Sequence, residues 1–378
     1  MDEPEVMTAV LLTGFGGPEK LELRHDVPLP RPGPGEVLVR VTAAGMNNTD
    51  INTRIGWYNS AVTSGTTAEG GTGGLGLADD AAGGWGGGIA FPRIQGADAV
   101  GRIAAVGPGV DARRIGERVI CQPWRRDPAK PESLEGAGFQ GSEVDGGFAQ
   151  YLCLPAVDAV AVPEGVTLPD AALATLPCAG GTAMNMLLLA GAGPGDLALV
   201  TGASGGVGSF LVQILKALGA EVVAVAGPGK EAAVRALGAD HVITRGDDLA
   251  AELAAATGRR ALSLVADVVG GDAFPALIDA LGRGGRYVVA GAIAGPIVAL
   301  DLRTLYLQCL TFHGSTIYLP DTFPTLLGLV AEGRVVPTAA ETWPLEEIHA
   351  AQAAFLEKRF VGNLVLIPPG AAEAEAGA

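Results

Sequence analysis

A short apolar run that breaks into glycines is the stretch of this 378-residue sequence best suited to chemistry. Leu197 to Gly208 reads LALVTGASGGVG and leads into SFLVQILKALGAEVVAVAG. Strand, glycine turn, helix and second strand in that order make a dinucleotide site, because glycine lets backbone amides and a helix N-terminus approach a pyrophosphate. The fingerprint is Ala203-x-Gly205-x-x-Gly208, with alanine where a first glycine usually stands. Context strengthens it. The preceding strand is continuously apolar, as in a sheet buried on both faces, and Phe210, Leu211, Ile214, Leu215 and Leu218 form a helical stripe. A plain Gly-rich turn in an α/β domain is the competing explanation. Ala203, Ser204, Gly205, Gly206 and Val207 are accordingly the candidate phosphate contacts.

The end of the second strand bears on which nucleotide fits. A carboxylate about 20 positions after the glycines would accept hydrogen bonds from a ribose 2′-hydroxyl and repel a 2′-phosphate. Gly227 stands there instead, followed by Pro228, Gly229 and Lys230. With no acid and a cation nearby, NADP(H) is expected over NAD(H), and Arg245, closing the strand-like HVITR, offers a second positive charge. Lys230 read blandly is a solvated residue opening the helix KEAAVRALGA.

Elements able to hold such a site surround it. From about Asp170 the chain turns helical and then alternates: LALVTG, EVVAVAG, HVITR, LVADVVG and RYVVAGA each end at glycine or a polar residue, the pattern of a parallel, doubly wound sheet. Ligands of such sheets lie at the C-terminal strand ends, which adds Val269 with Gly270, and Gly291, Ala292 and Ile293, to the candidate contacts. Before Asp170, the runs TAVLLTGFG, LELRHDVPLP, EVLVRVTAAGM, AVGRIAAVGPGV and ERVICQPW predict a mostly antiparallel, barrel-like domain. After about Glu332 a helix start and a closing apolar strand are placed to rejoin that first domain, and the final AAEAEAGA reads as a disordered tail. The expected bounds are 1–182 with 333–368 for the β-rich domain, 183–332 for the nucleotide domain and 369–378 for the tail.

Residues 59–88 are rich in Gly, Ala, Thr and Ser, with Leu75, Leu77 and Trp85 as the sizeable apolar anchors after Val62. Two readings stay open: a flexible surface insertion, or a mobile lid over the site. The stretch from Cys121 to Ser142 is a second long loop, without assigned chemistry.

Composition narrows the classes. A chain of 378 residues with 48% hydrophobic content supports two domains with real cores. A net charge of −16 argues against nucleic acid or anionic membrane as partner. No signal-peptide pattern stands at the N-terminus, and Cys121, Cys153, Cys178 and Cys309 form no C-x-x-C pair, which suits free thiols in a reducing cytoplasm. The histidines do not cluster either. Two stretches without formal charge, 171–195 and 197–215, fit a buried crossover and the nucleotide turn better than membrane spans.

Taken together, RPGPGEVLVRVTAAGMNNTDINTRIGWY, FPRIQGADAVGRIAAVGPGV, GERV, DGGFAQY, VTGASGGVG with ALGA and ALGAD, DVVGGDAF, GGRYVVAGA and VGNLVLIP resemble the medium-chain dehydrogenase/reductase superfamily, and within it the zinc-independent quinone oxidoreductases. The resemblance runs from the first strand to about Pro368 and leaves out the insertion and the tail. It implies an α/β architecture: a Rossmann doubly wound parallel sheet joined to a β-rich GroES-like catalytic domain, with a cleft between them.

Zinc enzymes of this superfamily hold a catalytic metal with a Cys in the stretch matching AAGMNNTD, a His followed by Glu in that matching GADAVG, and a later Cys. Here those positions are Asn47, then Ala97 followed by Asp98, and Cys178 alone survives. One thiolate does not hold zinc, which takes about three protein ligands when catalytic. The four-cysteine lobe of structural zinc is missing too. The resemblance thus implies no metal, and charge on the substrate oxygen stabilised by hydrogen-bond donors instead. It puts Asn47 and Thr182 beside the nicotinamide, Asp50 and Tyr58 near the substrate, and returns Phe360 to Asn363 to the cofactor. Tyr58 is the first candidate donor and Asn48 the second. The ordinary alternatives are Tyr58 as a packing aromatic beside Trp57, Asp50 as a brace of the NNTD turn, and Cys178 as a small buried apolar residue. Asn52 departs from the tyrosine that quinone oxidoreductases often carry, which weakens the case for quinone itself.

The expected activity is NADPH-dependent hydride delivery to a quinone, an α,β-unsaturated carbonyl or an enoyl thioester. A zinc-free alcohol dehydrogenase or carbonyl reductase, and a non-catalytic NADPH-binding protein, are the alternatives. By resemblance the protein is expected to be a homodimer through the edge of the nucleotide-domain sheet, with residues 306–320 as the interface strand.

Overall fold

Apolar runs of four to nine residues become a six-stranded, all-parallel sheet in the computed structural model, which describes residues 5–66, 68–126, 129–130, 133–246 and 248–371. The sheet starts in its middle with Leu197–Val200 and builds outward through Glu221–Ala226 to His241–Thr244. The chain then crosses back to Leu262–Asp267, Leu281–Val289 and the edge strand Thr311–Gly314. Where the order reverses, between Leu197–Val200 and Leu262–Asp267, the connections leave to opposite faces and open a crevice at the strand ends. The helix Gly206–Ala217 covers one face, burying Phe210, Leu211, Val212, Ile214 and Leu215. Each such side chain stabilises the domain by roughly 1.5–3 kcal/mol.

The β-rich domain is organised by one strand, Glu36–Met46. Its first half pairs with Tyr151–Pro155, most of its length with Ala99–Val106, and its last residues with Asn363–Ile367. Ala339–Pro344 lies parallel beside Asn363–Ile367, so the chain's last two strands belong to this seven-stranded sheet rather than to the nucleotide sheet. The expected combination of a doubly wound parallel sheet and a β-rich domain is therefore present. Of the tail expected at 369–378, residues 372–378 lie outside the described residues.

The helical run Asp170–Leu189 has the length and apolarity to cross a membrane, yet 83% of its window is buried inside the protein. It is the common floor of both domains. Ala43, Ala97, Val100 and Ile120 pack from one side, and Val200, Ala203 and Phe210 from the other, around Leu173, Leu176, Ala183 and Leu187 in one continuous core.

The structure speaks against one of the two open readings of 59–88 and corrects the expected interface strand. The insertion 59–88 is not a loose surface loop among its described residues, because buried Arg54 donates to the carbonyl of Gly71, Trp57 donates to the carbonyl of Ser64, and Asp79 and Glu143 accept from the amides of Phe15 and Gly86. The amide of Thr66 reaches across to the carbonyl of Ile293 in the nucleotide domain at 2.9 Å. Nor is 306–320 one interface strand: only Thr311–Gly314 pairs, and Tyr318 turns inward to 5% exposure.

Candidate active site

At the crevice, the glycine turn takes its shape from close backbone contacts. Gly202 sits at φ +57°, in the left-handed region that glycine adopts without strain. A Cβ on Gly208 would collide with the carbonyl of Gly202, so the third glycine lets the helix start tight against the strand end. Ser209 donates the helix's first hydrogen bond, to Gly205. The amides of Gly206, Val207 and Gly208 therefore lie ahead of the helical ladder, where the helix dipole favours an anion. The segment after Lys358 lies across this turn: Gly362 donates to the carbonyl of Ser204 at 3.0 Å and bridges Gly205.

A buried polar chain links the turn to the first domain. Asp98, with no exposed surface, accepts from the Cys178 amide at 2.6 Å and from Asn47 Nδ2 at 2.8 Å. Asn47 Oδ1 in turn accepts from Asn363 Nδ2 at 3.2 Å. Burial holds the Asp98 carboxyl well above the usual carboxylate range, with the Asp50 carboxyl adding to the rise. Asp50 is 3% exposed and braces the turn: one oxygen accepts from the Asn47 amide at 2.7 Å and the other from the Ala97 amide at 3.1 Å. Burial, then Asp98, pushes the Cys178 thiol well up, so it is a protonated thiol rather than a nucleophile.

Beside this chain, hydroxyl groups meet aromatic rings. The Tyr58 hydroxyl donates to Thr49 Oγ1 at 3.1 Å, and Trp85 Nε1 from the insertion points at the same oxygen at 3.4 Å. Tyr58 and Trp85 stack with ring centroids 4.3 Å apart, and Trp124 and Phe139 extend the wall. Burial raises the Tyr58 phenol above its ordinary range, so it keeps its proton. Thr182 Oγ1 lies 3.1 Å from the Tyr318 hydroxyl, whose one proton is shared between the carbonyls of Pro177 and Cys178, both 2.9 Å away in the π turn Leu176–Gly180. Asn48 accepts from Lys358 Nζ at 2.9 Å.

Comparison with known proteins gives this arrangement a lineage. Residues 33–164 match the alcohol dehydrogenase GroES-like domain family and residues 206–332 the zinc-binding dehydrogenase family. The solved structure of a candidate alcohol dehydrogenase from Sinorhizobium meliloti 1021 is 46% identical, covers 97% of this chain and 98% of its own, and superposes with a TM-score of 0.85. The chain belongs to the medium-chain dehydrogenase/reductase superfamily. An acryloyl-coenzyme A reductase of Sulfurisphaera tokodaii is 29% identical across 96% of this chain and 100% of its own. The 2-octenoyl-CoA carboxylase reductase CinF, solved with NADP and 2-octenoyl-CoA, is 27% identical, covers 97% of this chain and 88% of its own, with a TM-score of 0.80.

Membership in a superfamily with zinc-binding members makes the donor set worth testing. Around the matching positions stand an amide, Asn47, whose two ends are already bonded to Asp98 and Asn363, and Ala97, which has no donor. Asp98 has both oxygens occupied, and Cys178 keeps its proton. Among the described residues no group of three or more His, Cys, Asp or Glu is arranged to hold an ion. These residues do not fit a zinc ion, which wants about three deprotonated or imidazole donors.

Of the residues the sequence pointed to, Asn47, Asn363, Gly206 and Thr182 converge on one end of the crevice, and Ile293 is tied in through Thr66. Gly227, Lys230 and Arg245 gather at the other end. There the Arg245 amide donates to the carbonyl of Ala226 at 2.7 Å, and burial, then Arg245, lowers the Lys230 amine. Two of the Lys230 donors serve the carbonyls of Lys358 and Phe360 at 2.5 and 2.9 Å. Glu231 approaches the same corner, with Oε1 accepting from Thr244 at 2.6 Å and from the Gly229 amide at 3.3 Å. Val269 and Gly270 donate to Asp267, a fully buried carboxylate that also accepts from Thr201 and Tyr287 and so locks three strand ends beneath the crevice.

Sequence reasoning missed Thr49, Tyr318, Asp267 and Lys358. Thr49 was legible as a hydroxyl inside NNTD, whereas the other three carry no spacing or motif signal.

Proposed function

We propose that this enzyme is an NADPH-dependent reductase that delivers hydride, without a metal ion, to the electron-poor double bond of a small α,β-unsaturated carbonyl compound, quinone or enoyl thioester. The observation that carries the reading is the Thr49 hydroxyl. Its oxygen faces two donors, Tyr58 and Trp85, which leaves its own proton to point away from both. An oriented O–H of this kind stabilises negative charge growing on a substrate oxygen, and Tyr58 serves by holding the Thr49 hydroxyl in that orientation. The polar chain through Asp98 and Asn47 offers no open metal position, so stabilisation falls to these donors.

The bound dihydronicotinamide supplies the hydride. The chain's part is to seat the pyrophosphate on the Gly206–Gly208 amides and the 2′-phosphate by Lys230 and Arg245, to exclude water with Trp85, Trp124 and Phe139, and to hold the proton at Thr49. The acryloyl-coenzyme A reductase and CinF support an enoyl acceptor and NADP. The Sinorhizobium relative favours a second reading, carbonyl reduction or its reverse, for which the same hydroxyl pair serves. A net charge of −16 leaves nucleic acid and anionic membrane outside the proposed partners, and the free cysteines suit the cytoplasm.

The deciding assay follows NADPH and NADH oxidation against quinones, enones, enoyl thioesters and aldehydes, and NADP reduction with alcohols. Turnover of conjugated acceptors with NADPH supports the reading. Turnover confined to alcohols and aldehydes selects the second reading, and no turnover with any acceptor rejects both.

A further inference from the structure

The 59–88 insertion touches both domains at Gly65 and Thr66, and it holds a buried amide between them. Gly65 passes so close to the turn after the strand Leu281–Val289 that a Cβ there would stand 2.5 Å from the Ile293 carbonyl oxygen. The next residue, Thr66, donates its backbone amide to that same carbonyl at 2.9 Å. From the first domain, Trp57 Nε1 donates to the Ser64 carbonyl at 2.9 Å. With its backbone held on both sides, Thr66 turns its hydroxyl to Asn52 Oδ1, 2.9 Å away. That oxygen can only accept, so the hydroxyl is the donor.

A side-chain amide has two unlike ends, and fixing one fixes the other. Asn52 is 6% exposed, and with its oxygen committed to Thr66 its nitrogen is the end left for Tyr58. Burial raises the Tyr58 phenol, and the Thr49 and Asn52 side chains oppose that rise. An amide favours a phenolate only through its N–H. Tyr58 thus receives on its oxygen and has a single proton to give, which goes to Thr49 Oγ1 at 3.1 Å. Were Asn52 turned over, its oxygen would compete with Thr49 for that proton. We infer that Thr66 is a positioning residue for the reaction: by holding Asn52 with its nitrogen toward Tyr58, it commits the Tyr58 proton to Thr49. Because the same residue is fastened to Ile293, the order of donors depends on a contact that crosses the cleft.

This inference rests on the hydride-transfer reading above. The test measures NADPH affinity, and turnover of the wild type's best acceptor, for Thr66→Val, Thr66→Ser, Tyr58→Phe and Thr66→Val combined with Tyr58→Phe. Thr66→Ala takes the place of Thr66→Val should valine disturb the fold, and thermal midpoints monitor folding. The expected result is a kcat about tenfold lower for Thr66→Val with NADPH affinity unchanged, restored in Thr66→Ser, and less than about twofold further loss when the valine is added to Tyr58→Phe. Equal losses in the two backgrounds mean a purely structural role and overturn the assignment, as does a valine variant with full turnover or a serine variant without rescue. Tyr58→Phe with full turnover overturns the hydroxyl-pair reading, and a wild type that turns over no acceptor overturns the proposed activity; the assignment falls with either.

Discussion

Thr49 sits where two indispensable features of the site cross, the hydroxyl pair and the aromatic wall. Tyr58→Phe keeps the ring that stacks on Trp85 and removes the donor to Thr49, so turnover falls by about 10- to 100-fold while NADPH affinity stays unchanged. A variant with full turnover would reduce Tyr58 to packing. Asp50 yields a pH prediction. Burial raises its carboxyl from 3.8 to about 7, against the pull of the Asn47 and Ala97 amides. Between those values the folded protein holds a proton that the unfolded chain has released, so this group lowers stability as pH rises from about 4 to about 7. Asp50→Asn lacks that effect. The stability gap between wild type and variant, measured by urea denaturation, therefore narrows over this window by an amount on the order of a few kcal/mol. A gap that widens would mean that the two amides hold the carboxylate ionised.

Residue roles were legible only where a motif surrounded them. The glycine turn names its own residues because each close approach demands glycine, and NNTD drew attention to the residues around Thr49. Asp267 and Tyr318 carry no such mark. Neither stands in a motif, and what makes each matter is two or more partners distant in sequence.

At the scale of elements, the strand Glu36–Met46 and the parallel strands were readable from apolar runs bounded by glycine and proline. The stretch 306–320 misled because its alternating apolar residues suit a strand, whereas Ile317 and Tyr318 pack into the core beneath the cleft. The insertion 59–88 stayed open between two readings because glycine-rich composition says nothing of order that comes from outside partners. Arg54 is the chief of these, with no exposed surface and bonds to Gln352, Gly16 and Gly71. Arg54→Met strands three acceptors and is expected to cost about 3–5 kcal/mol by chemical denaturation, with faster protease cleavage inside 59–88 under native conditions. Unchanged cleavage would show that the insertion is held without the guanidinium.

Across the whole molecule, the open edge of the parallel sheet at Thr311–Gly314 lies near exposed Leu302, Tyr306 and Leu307. An uncovered edge strand beside apolar side chains invites pairing with a second copy. Light scattering is expected to give twice the chain mass, and charged substitutions at Tyr306 and Leu307 to give a monomer. A wild-type monomer would remove this proposal. The core that runs through both domains along Asp170–Leu189 makes the cleft a feature of the assembled chain rather than of either half. The measurement that bears most directly on the whole account is NADPH oxidation with a conjugated acceptor before and after exhaustive chelation, with metal content determined on the same samples. Undiminished turnover at well under one zinc per chain is the predicted result. Activity that disappears on chelation and returns with stoichiometric zinc would contradict it.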